Sequence, residues 1–164
     1  MKPASHPTAL RMQDLLANLG LSCRVVEFEQ PTRTSAAAAT AIGCSVAEIA
    51  KSVVFRGGTS GRPIIVVASG DNRVCEAKVA SHLGERPLRA NADFVREATG
   101  FAIGGVAPVG HCQPARLLLD VDLQRFPVVW AAAGTPFSVF PIAPAELARI
   151  TAAPWCDIRL EAAG

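Results

Sequence analysis

The sequence predicts a mixed α/β fold organised as a single domain over residues 1–164. Three observations carry this reading. The length of 164 residues suits one core, large enough to bury about two thirds of the extended chain's surface. Helix-period and strand-period stretches alternate along the chain, without an internal repeat or a long linker. One run, Ile64-Ile-Val-Val-Ala68, is apolar at every position, as in a strand covered on both faces.

The elements follow from local pattern. Met12, Leu15, Leu16 and Leu19 recur at i, i+3, i+4 and i+7 and Gly20 supplies a stop, which predicts an amphipathic helix over 8–19. Arg24 to Phe28 is β-rich and reads as a strand, and Ser35 caps a short alanine helix that ends near Gly43. Ser45-Val-Ala-Glu48 fits the S-x-x-E capping box and starts a further helical turn. Ser52 to Phe55 and Ile64 to Ala68 form a hairpin across the glycine-rich loop Arg56–Pro63.

Beyond the hairpin, Gly70-Asp-Asn-Arg73 is a polar turn in which Asp71 or Asn72 caps a helix through Val74, Ala77, Lys78 and Leu83 to Gly84. Asn91 caps another through Phe94, Val95 and Ala98 to Gly100. Leu117 to Val121 is a strand, followed by a turn around Asp122 to Arg125 and the strand Val128 to Ala132. Gly134-Thr-Pro136 breaks the chain before a strand from Phe137 to Ile142. Pro144 opens the helix carrying Leu147 and Ile150, and Trp155 to Leu160 adds an edge strand.

Composition narrows the function. No apolar run reaches the roughly 18 residues that span a bilayer, and the first residues carry no secretion signal, so a cytoplasmic protein without a membrane partner is expected. The five cysteines are odd in number and contain no C-x-x-C, so most are expected as reduced core residues rather than disulfides or zinc ligands. The three histidines have no metal spacing. A net charge of +2 permits an acidic partner but is far from the strongly basic balance of a dedicated nucleic-acid binder. No P-loop, dinucleotide fingerprint or G-x-S-x-G elbow is present, so neither a cofactor nor a serine triad is expected.

Phe101-Ala-Ile-Gly-Gly-Val-Ala-Pro-Val-Gly-His111 serves neither a helix nor a packed strand. It is either a tight connection or a shaped loop in which Gly104 and Gly105 present main-chain amides to an oxygen bearing negative charge. Lys51 lies among apolar neighbours, where a sheltered ammonium suits a phosphate or a carboxylate, although most such lysines extend to water. Asp71 and Arg73 follow an apolar strand, where α/β folds place ligand groups, with helix capping as the alternative for Asp71. Asp120 and Asp122 are a carboxylate pair or simple turn formers. His111 is a general base or an exposed loop residue, and Cys112 beside it points away on an extended chain.

Taken together, Ile49-Ala-Lys-Ser-Val-Val-Phe55, Ser69-Gly-Asp-Asn-Arg73, Thr99 to His111 and Ala131-Ala-Ala-Gly-Thr-Pro136 resemble the YbaK/ProX family of aminoacyl-tRNA editing domains. The likeness runs from about residue 20 to residue 151. It implies a mostly antiparallel sheet or partial barrel surrounded by helices, and a metal-independent hydrolase acting in trans. Such an enzyme removes a wrongly attached small amino acid, such as alanine, serine or cysteine, from the 3′ acceptor end of a proline-accepting tRNA, with prolyl-tRNA synthetase as a candidate partner. It further implies catalytic roles for Lys51, Gly104 and Gly105, and a substrate pocket built from Pro108, Gly110, His111, Asp71, Arg73, Gly134 and Ser138. In some members the substrate's own hydroxyl or thiol assists, which suits the lack of an evident general base. Phe137 stands where relatives often carry a polar residue, and it either narrows the pocket or faces the core. A non-catalytic module that binds tRNA or an aminoacyl ligand is the alternative.

Overall fold

A computed structural model describes residues 1–161. These residues build one nine-stranded sheet with five helices around it. The strands are β1 (Lys2–Pro3), β2 (Val26–Glu27), β3 (Ile49–Gly57), β4 (Pro63–Ser69), β5 (Pro87–Arg89), β6 (Arg116–Asp120), β7 (Val129–Ala132), β8 (Ser138–Ile142) and β9 (Trp155–Cys156). The helices are α1 (Pro7–Asn18), α2 (Ser35–Ile42), α3 (Glu76–Leu83), α4 (Ala92–Thr99) and α5 (Pro144–Thr151). The sheet runs β1-β2-β8-β7-β3-β4-β6-β9, with β5 pairing to β3 off that path. Most pairings are antiparallel; β3·β7, β4·β6 and β6·β9 are parallel. The path ends at β1 and β9 without closing, so the sheet is open rather than a barrel.

β4 is the centre of the molecule, and Ile64 through Ala68 are fully buried. Strand alternation divides them between two cores. Ile65 and Val67 join one cluster with Met12, Leu16, Val95, Leu119 and Phe140, while Ile64, Val66 and Ala68 join another with Val79, Leu118 and Ile158. Each of the isoleucines and valines contributes about 1.5–3 kcal/mol by leaving water, which is why this strand tolerates no polar position before Ser69.

Local capping departs from the sequence reading in two places. Thr34, not Ser35, caps α2, its hydroxyl accepting from the Ala37 amide at 3.1 Å. Neither Asp71 nor Asn72 caps α3, which starts later, after Cys75. The reason is tertiary: Asn72 is buried and donates to Asp120 and Asp122, both at 2.8 Å, and Cys75 is held to the C-terminal segment by the hydrogen bond its backbone N–H donates to the Ile158 carbonyl at 2.7 Å. The cysteines are free, but only Cys156 is buried; Cys23, Cys44 and Cys75 are half-buried and Cys112 is exposed, which corrects the expectation of mostly core cysteines. The last strand is two residues long, continued only by a Val74–Arg159 bridge. Among the described residues no helix is long and apolar enough to cross a membrane.

Candidate active site

The site arises where β3 loses a neighbour. β4 runs beside β3 from Ala50 to Arg56, but the opposite edge is taken by β7 only at Ile49–Ala50 and by β5 only at Phe55–Gly57. Lys51 to Val54 therefore have no strand partner on that side, and they border a cavity of about 590 Å³. Its other walls are the segment Thr32–Ser35 leading into α2, the loop residues Ile103, Gly104 and Val106, Trp130 and Ala132 of β7, and Thr135, Ser138 and Val139. A second hollow of about 670 Å³ lies between Phe28 and α2 and contains none of the expected site residues.

Lys51 reaches back toward the turn after β4, its Nζ donating to the Gly70 carbonyl at 3.3 Å. Burial lowers its pKa, the nearby Asp71 and Asp120 carboxylates oppose that, and Arg73 adds to it; the net effect is an ammonium that loses its proton more readily than an ordinary lysine. Asp71 and Arg73 thus act on Lys51 through their charges, although both side chains are exposed and neither lines the cavity. The turn is held from below. Asp120, fully buried, accepts from the Ser69 amide at 2.9 Å and from Asn72, and Ser69 Oγ donates to the Ala47 carbonyl at 2.6 Å. A Cβ on Gly70 would collide with the Val46 carbonyl, so the turn packs against the helical turn at Val46–Glu48 only because residue 70 is glycine.

The two loop glycines have different surroundings. Gly104 borders the cavity at φ +89°, and its amide has no hydrogen-bond partner among the described residues. Gly105 lies behind it: its amide donates to the Ala102 carbonyl at 3.0 Å, and an added Cβ would meet the Thr135 backbone. Of the two amides expected to face an oxygen, that of Gly105 is engaged within the loop and that of Gly104 is left unpaired among the described residues.

Pro108, Gly110, His111 and Gly134 form the loop's support rather than the cavity wall. Pro108 is buried, Gly110 is pressed against Leu15 and Met12 of α1, and Gly134, at φ +99°, lets the chain pass Thr8 and Phe101. His111 stands edge-on to Phe101 and its Nε2 contacts the Ala107 carbonyl at 2.7 Å. A carbonyl only accepts, so that nitrogen carries the proton and cannot serve as a base. Burial lowers the His111 pKa, partly offset by this bond. Ser138 does line the cavity, its buried hydroxyl 2.7 Å from Thr135 Oγ1. Phe137 neither narrows the cavity nor enters the core; it is 39% exposed.

Three cavity residues escaped the sequence reading. Arg33 lies across Gly104, whose Cβ position is 3.4 Å from the Arg33 side chain, and so brings a second cation to the cavity. Ser52 and Thr135 add hydroxyls. A run of Thr-Arg-Thr before a capped helix is the one signal that marks Arg33, because an N-terminal helix turn favours anions. The lining contains two cations and several hydroxyls but no carboxylate, imidazole or thiol. The rest of the lining is largely aliphatic, so the cavity joins apolar walls to donors able to hold an anionic or polar group.

The chain is 36% identical over 135 residues to the uncharacterized protein YwhH of Bacillus subtilis, covering 82% of this chain and 85% of that one. It is 34% identical over 91 residues to a proline–tRNA ligase of Limosilactobacillus fermentum, spanning 53% of this chain but only 16% of the ligase. A crystal structure of a proposed trans-editing enzyme for prolyl tRNA synthetase superposes with a TM-score of 0.90 at 42% identity, covering 96% of this chain and all of that one. Residues 29–150, with every cavity wall inside them, match the model of the aminoacyl-tRNA editing domain, and the chain belongs to that family.

Proposed function

We propose that this protein is a metal-independent aminoacyl-tRNA deacylase acting in trans, hydrolysing the ester between a wrongly attached small amino acid and the 3′-terminal ribose of a proline-accepting tRNA. The observation that carries the reading is the cavity itself, which opens at the unpaired edge of β3 and brings Lys51 and Gly104 to its walls. The similarity to a proposed trans-editing enzyme and to part of a proline–tRNA ligase supports the substrate class and prolyl-tRNA synthetase as the partner.

The chemistry asks little of the protein. Water adds to the ester carbonyl, the bond to the ribose oxygen breaks, and the water's proton ends on that oxygen, releasing amino acid and tRNA. Lys51 and Arg33 hold the anionic and polar groups of the acceptor end, while the unpaired Gly104 amide is left to donate to the oxygen that gains charge. Asp71 and Arg73 tune Lys51 from outside the cavity. Pro108, Gly110, His111 and Gly134 act by shaping the loop, and Ser138 acts as part of the wall.

A non-catalytic aminoacyl-tRNA binding module is the second reading, favoured by the lack of a carboxylate, imidazole or thiol on the cavity wall. The test is hydrolysis of proline tRNA charged with alanine, serine, threonine or cysteine. Turnover of at least one ester, reduced at least about a hundredfold by Lys51→Ala, is expected for a deacylase. Binding without turnover identifies the module, and full activity of the variant refutes the assignment of Lys51.

A further inference from the structure

Ser52 carries the one buried side-chain oxygen or nitrogen among the described residues that has no hydrogen-bond partner. It follows Lys51 on β3 and lines the same cavity. Its face of the sheet is apolar: Val67 stands opposite it on β4, and Ala50 and Val54 flank it two residues away. Val95 and Val106 line the cavity as well. If this position served packing alone, alanine would fill it without an unpaired hydroxyl, which is expensive to keep buried.

Four of the other hydroxyls around the cavity are engaged, and that of Ser35, on a half-buried residue, is not shut away from water as Ser52 Oγ is. Thr32 Oγ1 donates to the Pro136 carbonyl, Thr34 Oγ1 accepts from the Ala37 amide, and Thr135 Oγ1 pairs with Ser138 while accepting from the Phe137 amide. Ser52 Oγ is shielded from solvent although the residue as a whole is only half-buried. Rotation about one torsion carries the hydroxyl between staggered positions, and leaving the resting one gives up no hydrogen bond within the protein. A polar group entering the cavity therefore gains a partner without breaking another.

We propose that Ser52 is a specificity-determining residue that hydrogen-bonds the side-chain hydroxyl of a seryl ester, so that the cavity favours serine over an apolar residue of the same size. This rests on the deacylase reading of the cavity but concerns what that cavity selects. Serine and 2-aminobutyrate differ only in a hydroxyl against a methyl group, which separates hydrogen bonding from size. A hydrogen-bonding site discriminates against the analogue that leaves it unpaired, whereas size alone does not separate this pair.

The test measures calorimetric binding of two non-hydrolysable probes, 3′-deoxyadenosine carrying serine or 2-aminobutyrate through a 3′-amide, to the full chain and to Ser52→Ala and Ser52→Thr. The wild type binds the seryl probe tighter by roughly five- to tenfold, the worth of one neutral hydrogen bond. Ser52→Ala brings the two affinities within about twofold by weakening the seryl probe alone, with an unchanged or raised thermal midpoint, and Ser52→Thr retains a preference. Equal affinities in the wild type, or a preference that survives Ser52→Ala, overturn the role of Ser52 while leaving an aminoacyl site. A lowered midpoint in Ser52→Ala assigns the hydroxyl to structure and also overturns it. If neither probe binds, the deacylase reading falls together with this one; if the preference appears and is lost in Ser52→Ala but no ester is hydrolysed, only the deacylase reading falls.

Discussion

Ser69 and Asp120 are separated by 51 residues and joined by a 2.9 Å bond from the Ser69 amide to Asp120 Oδ2. The same carboxylate receives Asn72 Nδ2 at 2.8 Å and the Asp122 amide at 2.9 Å, so one buried group fixes both ends of the turn that offers the Gly70 carbonyl to Lys51. Asp120→Ala leaves the buried Ser69 amide without an acceptor and Asn72 with Asp122 alone. It is expected to lower stability by about 2–4 kcal/mol in denaturant unfolding and to reduce ester hydrolysis, because Lys51 loses its anchor. A variant with unaltered stability would show that the turn holds without the carboxylate.

With Lys51 in its proposed role, hydrolysis is expected to have a pH dependence of defined sign. The Lys51 pKa is lowered chiefly by burial, so the ammonium is lost at a lower pH than for an ordinary lysine, and hydrolysis falls as pH rises through that value. Lys51→Arg keeps a charge that does not titrate, and its residual activity should lack this alkaline fall after correction for the uncatalysed lability of the ester.

Asp71 and Arg73 act on that ammonium in opposite directions, the first raising its pKa and the second lowering it. Asp71→Asn should move the alkaline limb of the rate profile to lower pH, and Arg73→Ala should move it to higher pH. Both side chains are exposed, so neither change is expected to alter the unfolding midpoint appreciably. Shifts in the same direction would show that these residues contact the tRNA rather than tune the lysine.

Glu27 links the N-terminal residues to the sheet, accepting from the Ser5 and His6 amides and the Ser5 hydroxyl. Burial works against its ionisation, but these bonds outweigh it and hold its pKa below the ordinary 4.5. Its stabilising contribution is therefore complete above about pH 4.5 and is lost as pH falls through the lower folded value. Glu27→Gln should flatten the acid limb of a stability profile while lowering stability at neutral pH.

The parts of the fold that depend on neighbours in sequence were legible. The apolar spacing of Met12 and Leu16 marked α1, Asn91 capped α4 as expected, and the uninterrupted run from Ile64 marked a strand covered on both faces. β1 and β5 were missed because two or three residues carry no period, and their pairing with Glu27 and Phe55 is decided by tertiary contact. The same holds for the site. Lys51 and Gly104 could be picked out by residue type, but the gap between β7 and β5 that opens the cavity is set by two non-local pairings. Imidazole chemistry alone suggests a base at His111, and its Nε2 contact with the Ala107 carbonyl, which ties it to the loop, is a tertiary feature that residue type does not carry.

Gly104 and Gly105, adjacent in sequence, should respond differently to a single methyl group. At Gly105 a Cβ meets the main chain of Thr135, which cannot rotate aside, so Gly105→Ala must push the loop away from the β7–β8 connection. Overpacking of this kind costs about 1–3 kcal/mol and should deform the wall formed by Thr135 and Ser138. At Gly104 the nearest atoms belong to the Arg33 side chain at 3.4 Å, which can shift, and the penalty comes from φ +89°, about 1–2 kcal/mol for a residue with a Cβ. Gly104→Ala should therefore weaken hydrolysis through the displaced Arg33 and the altered amide with a modest loss of stability, whereas Gly105→Ala should lose the larger share of both. Thermal unfolding and kcat/KM on the same mischarged tRNA separate the two, and a Gly105→Ala variant as stable as wild type would show that the loop does not rest on Thr135.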